Sequence, residues 1–269
     1  GVGVDLLRSR TGVKATTTGR PALATEQKGF AMRMRSVLVL SLIAASFALA
    51  PVAAPAPPLP SSIAGIGDSI TRATDVCCWY GDHPAQSWST GGGAFDGISS
   101  HYERIRTLNP AIQGRNFSDA RAGARMRDAQ AQAQTAVTQG ARYATILMRA
   151  NDLCTGSPAT MTTVADFRAQ FSAAMATLAT GLPAGSHVFV GSIPNVYRLW
   201  QLLRANATAQ VVWSVAGICQ AMLSPFNTEQ DRQVVLAREQ AFNQVLADVC
   251  GQFATICRFD DYAVFNYAF

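Results

Sequence analysis

The sequence predicts an α/β domain built on a parallel sheet with helices on both faces. Two observations carry this. After residue 60, five short apolar runs alternate with five longer segments of helical period, and that alternation marks a parallel sheet crossed by helices. The first run, Ile63, Ala64 and Ile66, is apolar on consecutive positions, as a strand buried on both faces is. The chain has 269 residues, a span that one domain can fill.

That first strand ends in Gly67-Asp68-Ser69. Glycine permits a sharp turn there, and a serine at the C-terminal edge of a sheet lies where open α/β folds place their sites. A helical turn from Ile70 would aim backbone N–H groups at the serine. A serine so placed is a nucleophile if a base activates it. Gly65 and Gly67 do not make a dinucleotide fingerprint, because its third glycine position is Ile70. Residues 72–97 read as a long loop holding Cys77, Cys78, Trp79, Tyr80 and Trp88; it either walls an apolar pocket or is a disulfide-pinned surface loop.

Ile98, Tyr102, Ile105 and Leu108 recur at helical spacing, closed by Asn109-Pro110. Residues 111–117 are the next strand, and an Ala- and Gln-rich helix over 124–139 follows Gly123 and ends at Gly140. Residues 142–148 are the third strand, running into Asn151-Asp152. Thr163 with Asp166 opens a helix whose stripe Phe167, Phe171, Met175 and Leu178 is core. Residues 187–194 are the fourth strand, and 199–222 are largely helical. Thr228 with Asp231 caps a last long helix ended by Gly251, and Cys257 to Phe259 begin a fifth strand.

Upstream, residues 1–31 show no periodicity and are expected to be disordered or to precede the true start. Residues 32–53 read as a secretory signal peptide: a basic start, a fourteen-residue apolar run from Val37 to Ala50, then small residues. The run is short for a membrane span, which needs about 20 apolar residues, and the prolines of the Pro/Ala-rich linker 54–60 forbid its extension. Residues 1–50 hold seven of the 22 Lys and Arg and two of the 17 Asp and Glu, leaving 15 of each sign beyond. The basic charge therefore belongs to the leader, and nothing argues for a nucleic-acid surface. All six cysteines follow the leader. An even count after an export signal predicts at least two disulfides, with the connectivity open. A zinc site is disfavoured, because paired Cys-x-x-Cys units are absent.

Gly67-Asp68-Ser69-Ile70-Thr71 resembles the first sequence block of the GDSL esterases and lipases, also called SGNH hydrolases. That family takes Ser, Gly, Asn and His from four blocks. The stretch 116–123, ending in Gly123, resembles the second block. Arg149-Ala150-Asn151-Asp152 resembles the third, with Arg149 where the family has glycine. Ser192-Ile193-Pro194 resembles a family strand ending in a small residue, Ile and Pro. The likeness covers residues 63–269 and implies that 61–269 is one flavodoxin-like α/β/α three-layer domain.

It further implies a secreted, monomeric serine ester hydrolase acting on small-molecule, lipid or glycan esters, with no metal or organic cofactor. Ser69 would attack the carbonyl; the N–H groups of Ser69 and Gly123 and the Asn151 amide would hold the oxyanion. The family's last block, Asp-x-x-His, is absent from the 269 residues. His101 and His187 read as structural. His83, in Asp82-His83-Pro84, has the wrong spacing for the family's base. The expectation is therefore a C-terminal truncation, with little or no activity in the chain as given. The alternative is a non-catalytic acyl- or glycan-binding remnant of the same fold.

Overall fold

The computed structural model describes residues 58–148 and 150–268. The expected leader, signal peptide and most of the linker, and Arg149, lie outside the described residues. The element order is β1 (Ile63–Gly67), α1 (His101–Leu108), β2 (Asn116–Ser118), α2 (Ala129–Thr138), β3 (Tyr143–Leu147), α3 (Val164–Gly181), β4 (His187–Val190), α4 (Val196–Leu203), α5 (Ala207–Val215), α6 (Gln220–Leu223), α7 (Glu229–Gln252) and β5 (Cys257–Phe259).

The five strands form one parallel sheet in the order β2-β1-β3-β4-β5. This is the flavodoxin-like order, in which the chain steps outward from β1 to β2 and then returns to β3. The reversal makes β1 and β3 neighbours whose following loops leave in opposite directions. Gly67 lies in register with Leu147 there.

Alternate residues of each strand face opposite layers. Ala64, Ile66, Ala144, Ile146, Val188 and Val190 point into the main core, which α2, α3 and α7 close. Phe167 of α3 and Phe242 of α7 stack there at 4.0 Å between ring centroids. The other face is covered by α1 and the loop before it. Ile63, Tyr102 and Ile112 form a small cluster, and Trp88 and His101 pack on Phe189 and Tyr143.

The helix starts follow local chemistry. Thr163 and Thr228 each accept a hydrogen bond from the backbone N–H three residues on, satisfying one of the N-terminal donors that a helix leaves unpaired. Some boundaries move. The expected strand at 111–117 shrinks to β2, because Asn109 caps a 3-10 turn at Pro110–Ile112. The helix expected from 124 starts at Ala129 after a short turn. The 199–222 segment divides into three helices, with Asn206 capping α5 and Gly217 and Cys219 at positive φ before α6. Helix α7 passes Gly251 and ends at Gln252.

The chain forms two disulfides, Cys154–Cys219 and Cys250–Cys257, while Cys77 and Cys78 are free thiols. Among the described residues no helix is long and apolar enough to cross a membrane.

Candidate functional site

The site is built where β1 and β3 end. Gly67 is held by a two-point clamp from α2: its N–H donates to Gln132 Oε1 at 2.8 Å and its carbonyl accepts from Gln132 Nε2 at 3.0 Å. A side chain at Gly67 would collide with Thr71 and sit 2.6 Å from the Leu147 carbonyl oxygen, so glycine is required by the close approach of two strands and a turn. Asp68 follows, fully buried. Its Oδ1 accepts from the Ile70 N–H at 3.0 Å, and its Oδ2 accepts from Asn151 Nδ2 at 3.1 Å.

Ser69 is half-buried, and no described group hydrogen-bonds its hydroxyl. The helical turn considered after Ile70 does not extend into a helix. One helix-like bond, Arg72 N–H to the Asp68 carbonyl at 2.9 Å, starts it. Ala73 and Asp75 then adopt positive φ, 54° and 58°, and such left-handed residues cannot propagate a right-handed helix. The segment instead closes as overlapping turns, Thr74 N–H donating to the Ser69 carbonyl at 2.8 Å.

Asn151 joins the three expected positions. Its Nδ2 donates to Asp68, next to Ser69, and at 2.9 Å to the carbonyl of Ala124, next to Gly123. Asp152 reinforces the junction: Oδ2 accepts from the Met126 N–H at 2.8 Å and Oδ1 from Thr162 Oγ1 at 2.7 Å. Burial pushes its carboxyl above the ordinary value despite these bonds. Gly123 is exposed at φ +78°, a conformation that favours glycine. An amide nitrogen carries two donors, and both of those on Asn151 are spent inside the protein.

Two hollows flank this junction. One, about 450 Å³, is lined by Asn151, Ile70, Val196, Leu199, Ile218 and Leu223, with the Cys154–Cys219 bridge in its wall. Its apolar wall comes from the 194–199 and 217–223 segments and not from the 72–97 loop. The other, about 660 Å³, runs past Gly123 and is polar, with Arg72, Asp82, Asp119 and Arg121 on its sides. Arg72 pairs with Asp82 at 2.9 Å. Burial raises the Asp119 carboxyl, and Gln139 Nε2 donates to its Oδ1 at 2.8 Å.

The histidines are engaged elsewhere. His83 Nε2 lies 2.9 Å from the Trp79 carbonyl oxygen, and Nδ1 lies 3.9 Å from Cys77 Sγ. His101 Nδ1 is 2.9 Å from the Tyr143 hydroxyl, and burial lowers its proton affinity. His187 opens β4, at the opposite end of the sheet from Ser69. Among the described residues no three His, Cys, Asp or Glu side chains gather as a metal site. The sequence reading missed Gln132; its one signal was a glutamine within an Ala-rich helix next to the expected core.

Fold and junction together define an open α/β protein with its crevice at the β1/β3 switch point. Neither a family model nor a curated protein matches the chain.

Proposed function

We propose that the junction is the acyl-transfer site of a secreted serine ester hydrolase of the GDSL type. The observation that carries this reading is the Asn151 amide. It links the residue before Ser69 to the residue after Gly123 at the switch point of the sheet, where open α/β folds hold their ligands. Ser69 Oγ attacks the ester carbonyl. The N–H groups of Ser69 and Gly123 take the oxyanion, and Asn151 joins them by releasing one internal partner. One such donor is worth roughly 3–4 kcal/mol in the transition state. The apolar hollow takes the acyl chain, and the polar cleft beyond Gly123 takes a hydroxyl-rich or charged alcohol, as in a lipid or glycan ester. No metal or organic cofactor enters this chemistry. The two disulfides agree with an oxidising compartment and hence with export.

The mechanism needs a base for Ser69, and no described histidine supplies one. Turnover of p-nitrophenyl acyl esters tests this on four proteins: the chain as given, its Ser69→Ala variant, and a chain extended by an Asp-x-x-His segment with Arg149 or with Arg149→Gly. The expected result is little turnover by the chain as given and strong, Ser69-dependent turnover by an extended form. Strong Ser69-dependent turnover by the chain as given would place a base elsewhere, with His83→Ala the next variant. Inactivity of every extended form would sink the hydrolase reading. A second reading, a non-catalytic binder of acyl or glycan ligands, is favoured by the internally spent Asn151 amide. It expects ester binding without turnover in all four proteins.

A further inference from the structure

The loop after the serine carries a second set of nucleophilic groups that ester chemistry does not use. Four of the six cysteines are bridged; Cys77 is half-buried and Cys78 exposed, both as thiols. His83, only 7% exposed, presents Nδ1 at 3.9 Å from Cys77 Sγ. Its Nε2 sits 2.9 Å from the Trp79 carbonyl oxygen. A carbonyl oxygen can only accept, so in the neutral ring the proton resides on Nε2. That leaves the Nδ1 lone pair facing the thiol. The Trp79 indole lies against the imidazole at 5.2 Å between centroids and helps fix the ring. Asp82, the adjacent carboxylate, is taken by Arg72 and by Thr74 Oγ1 at 2.6 Å and does not compete for the ring.

We propose that Cys77, with His83 as its general base, is a thiol–disulfide exchange site for small-molecule disulfides. Cys77 Sγ attacks one sulfur of R–S–S–R while its proton passes to His83 Nδ1. The S–S bond breaks, a Cys77–S–S–R bond forms, and the other sulfur departs as RS⁻; an alkyl thiolate takes the proton from His83 as RSH, whereas an acidic aromatic thiolate stays ionised and His83 gives the proton to solvent. The Cys77 sulfur is oxidised as the leaving sulfur is reduced, so no further oxidant is needed. Trp79 and Tyr80, both exposed and two and three residues after Cys77, favour an aromatic disulfide.

Exposure alone orders the two thiols the other way, because Cys78 is the more open. A hydrogen bond with Cys77 raises the Cys78 thiol above its ordinary value, which disfavours its thiolate. The test uses the unreduced protein and dithiobis-nitrobenzoate, an aromatic disulfide whose released thiolate is coloured. Two thiols should titrate, one fast and one slow. The fast phase should survive Cys78→Ser, vanish in Cys77→Ser, and leave its adduct on Cys77 by peptide mass. General-base help is worth about 10²–10⁴ where fully in place, so His83→Gln should slow the fast phase at least ~10-fold. Because His83 is buried, the two serine variants at the loop surface decide the matter if His83→Gln fails to fold. A fast phase on Cys78, equal rates at both thiols, or no free thiol in the unreduced protein would overturn the proposal.

Discussion

The two faces of the sheet are built on different principles. One is a dry core: Ala64, Ile66, Ala144, Ile146, Val188 and Val190 meet three helices, and both disulfides lie on that side. The other is thin and partly polar. Gly65 lets the 87–91 loop press on β1, where a side chain would meet Thr90 and Ser89 at 3.0 and 3.1 Å. Ser89 Oγ pairs with Thr145 Oγ1 at 2.5 Å beneath it. Phe189, Tyr143 and His187 on this face are only half-buried. The dry face anchors the strands, and the thin face belongs to the loop that leaves Ser69. Dense apolar packing and polar loop contacts are thus divided across one sheet, and the junction of Ser69, Gly123 and Asn151 sits past the C-terminal ends of β1, β2 and β3.

The largest expected effect tests the dry face. Phe242→Ala removes a fully buried ring stacked on Phe167 and should cost about 3–5 kcal/mol by denaturant unfolding. Phe189→Ala, on the thin face, should cost less than half as much. Equal losses would break the comparison.

The bridges come next. Cys154–Cys219 spans 65 residues and Cys250–Cys257 spans 7. Chain entropy assigns the longer loop about 4 kcal/mol and the shorter about 2. Replacing each pair by serine and comparing urea midpoints measures both. Loss of the short bridge costing more than loss of the long one would mean that native packing, and not loop closure, governs this side.

How far these differences were legible follows from their physics. Strands β1 and β3 were readable because burial on both faces leaves an apolar run, and α3 and α7 because Thr163 and Thr228 sit three residues before an acid. Ser69, Gly123 and Asn151 were readable as loop starts after strands. Gln132 was not, since its role depends on α2 lying over Gly67, a contact between residues 65 positions apart. The pairing of four cysteines, with two left free, depends on spatial neighbours that spacing does not encode. The spent state of the Asn151 amide is likewise a tertiary fact. That the helical turn after Ile70 stops at once was not readable, because Ala73 gives no sign of its positive φ and Asp75, a type that tolerates it, gives only a weak one.

A smaller effect sharpens the thin face. Thr145→Val keeps the shape of the strand but leaves the buried Ser89 hydroxyl unpaired. The cost should be about 1–3 kcal/mol. Adding Ser89→Ala should recover much of it, because losing both partners of a buried pair is far cheaper than losing one. A double variant no better than Thr145→Val would show that shape, not pairing, holds the loop.

Helix α7 sends two polar pegs into the dry side. Asn243 Oδ1 accepts from the Ile193 N–H at 2.7 Å, and Glu239 Oε1 accepts from the Val196 N–H at 3.1 Å. Together they hold the β4–α4 connection that walls the apolar hollow. Glu239 is fully buried, its Oε2 has no hydrogen-bond partner among the described residues, and burial pushes its carboxyl from 4.5 up to about 8. Between those values the folded chain keeps a proton that the unfolded chain releases. Stability from this group is therefore fully present below about pH 4.5, falls as pH rises to about 8, and levels off above, with a slope of at most about 1.4 kcal/mol per pH unit. Burial also raises Asp152 and Asp119, so part of the slope at low pH belongs to them. Glu239→Gln keeps an acceptor for Val196 and cannot ionise. Its urea stability should match that of the parent near pH 4.5 and exceed it increasingly toward pH 8. The difference between the two curves isolates Glu239 from the aspartates, and a constant difference across that range would show that Glu239 ionises alike in the folded and unfolded chains.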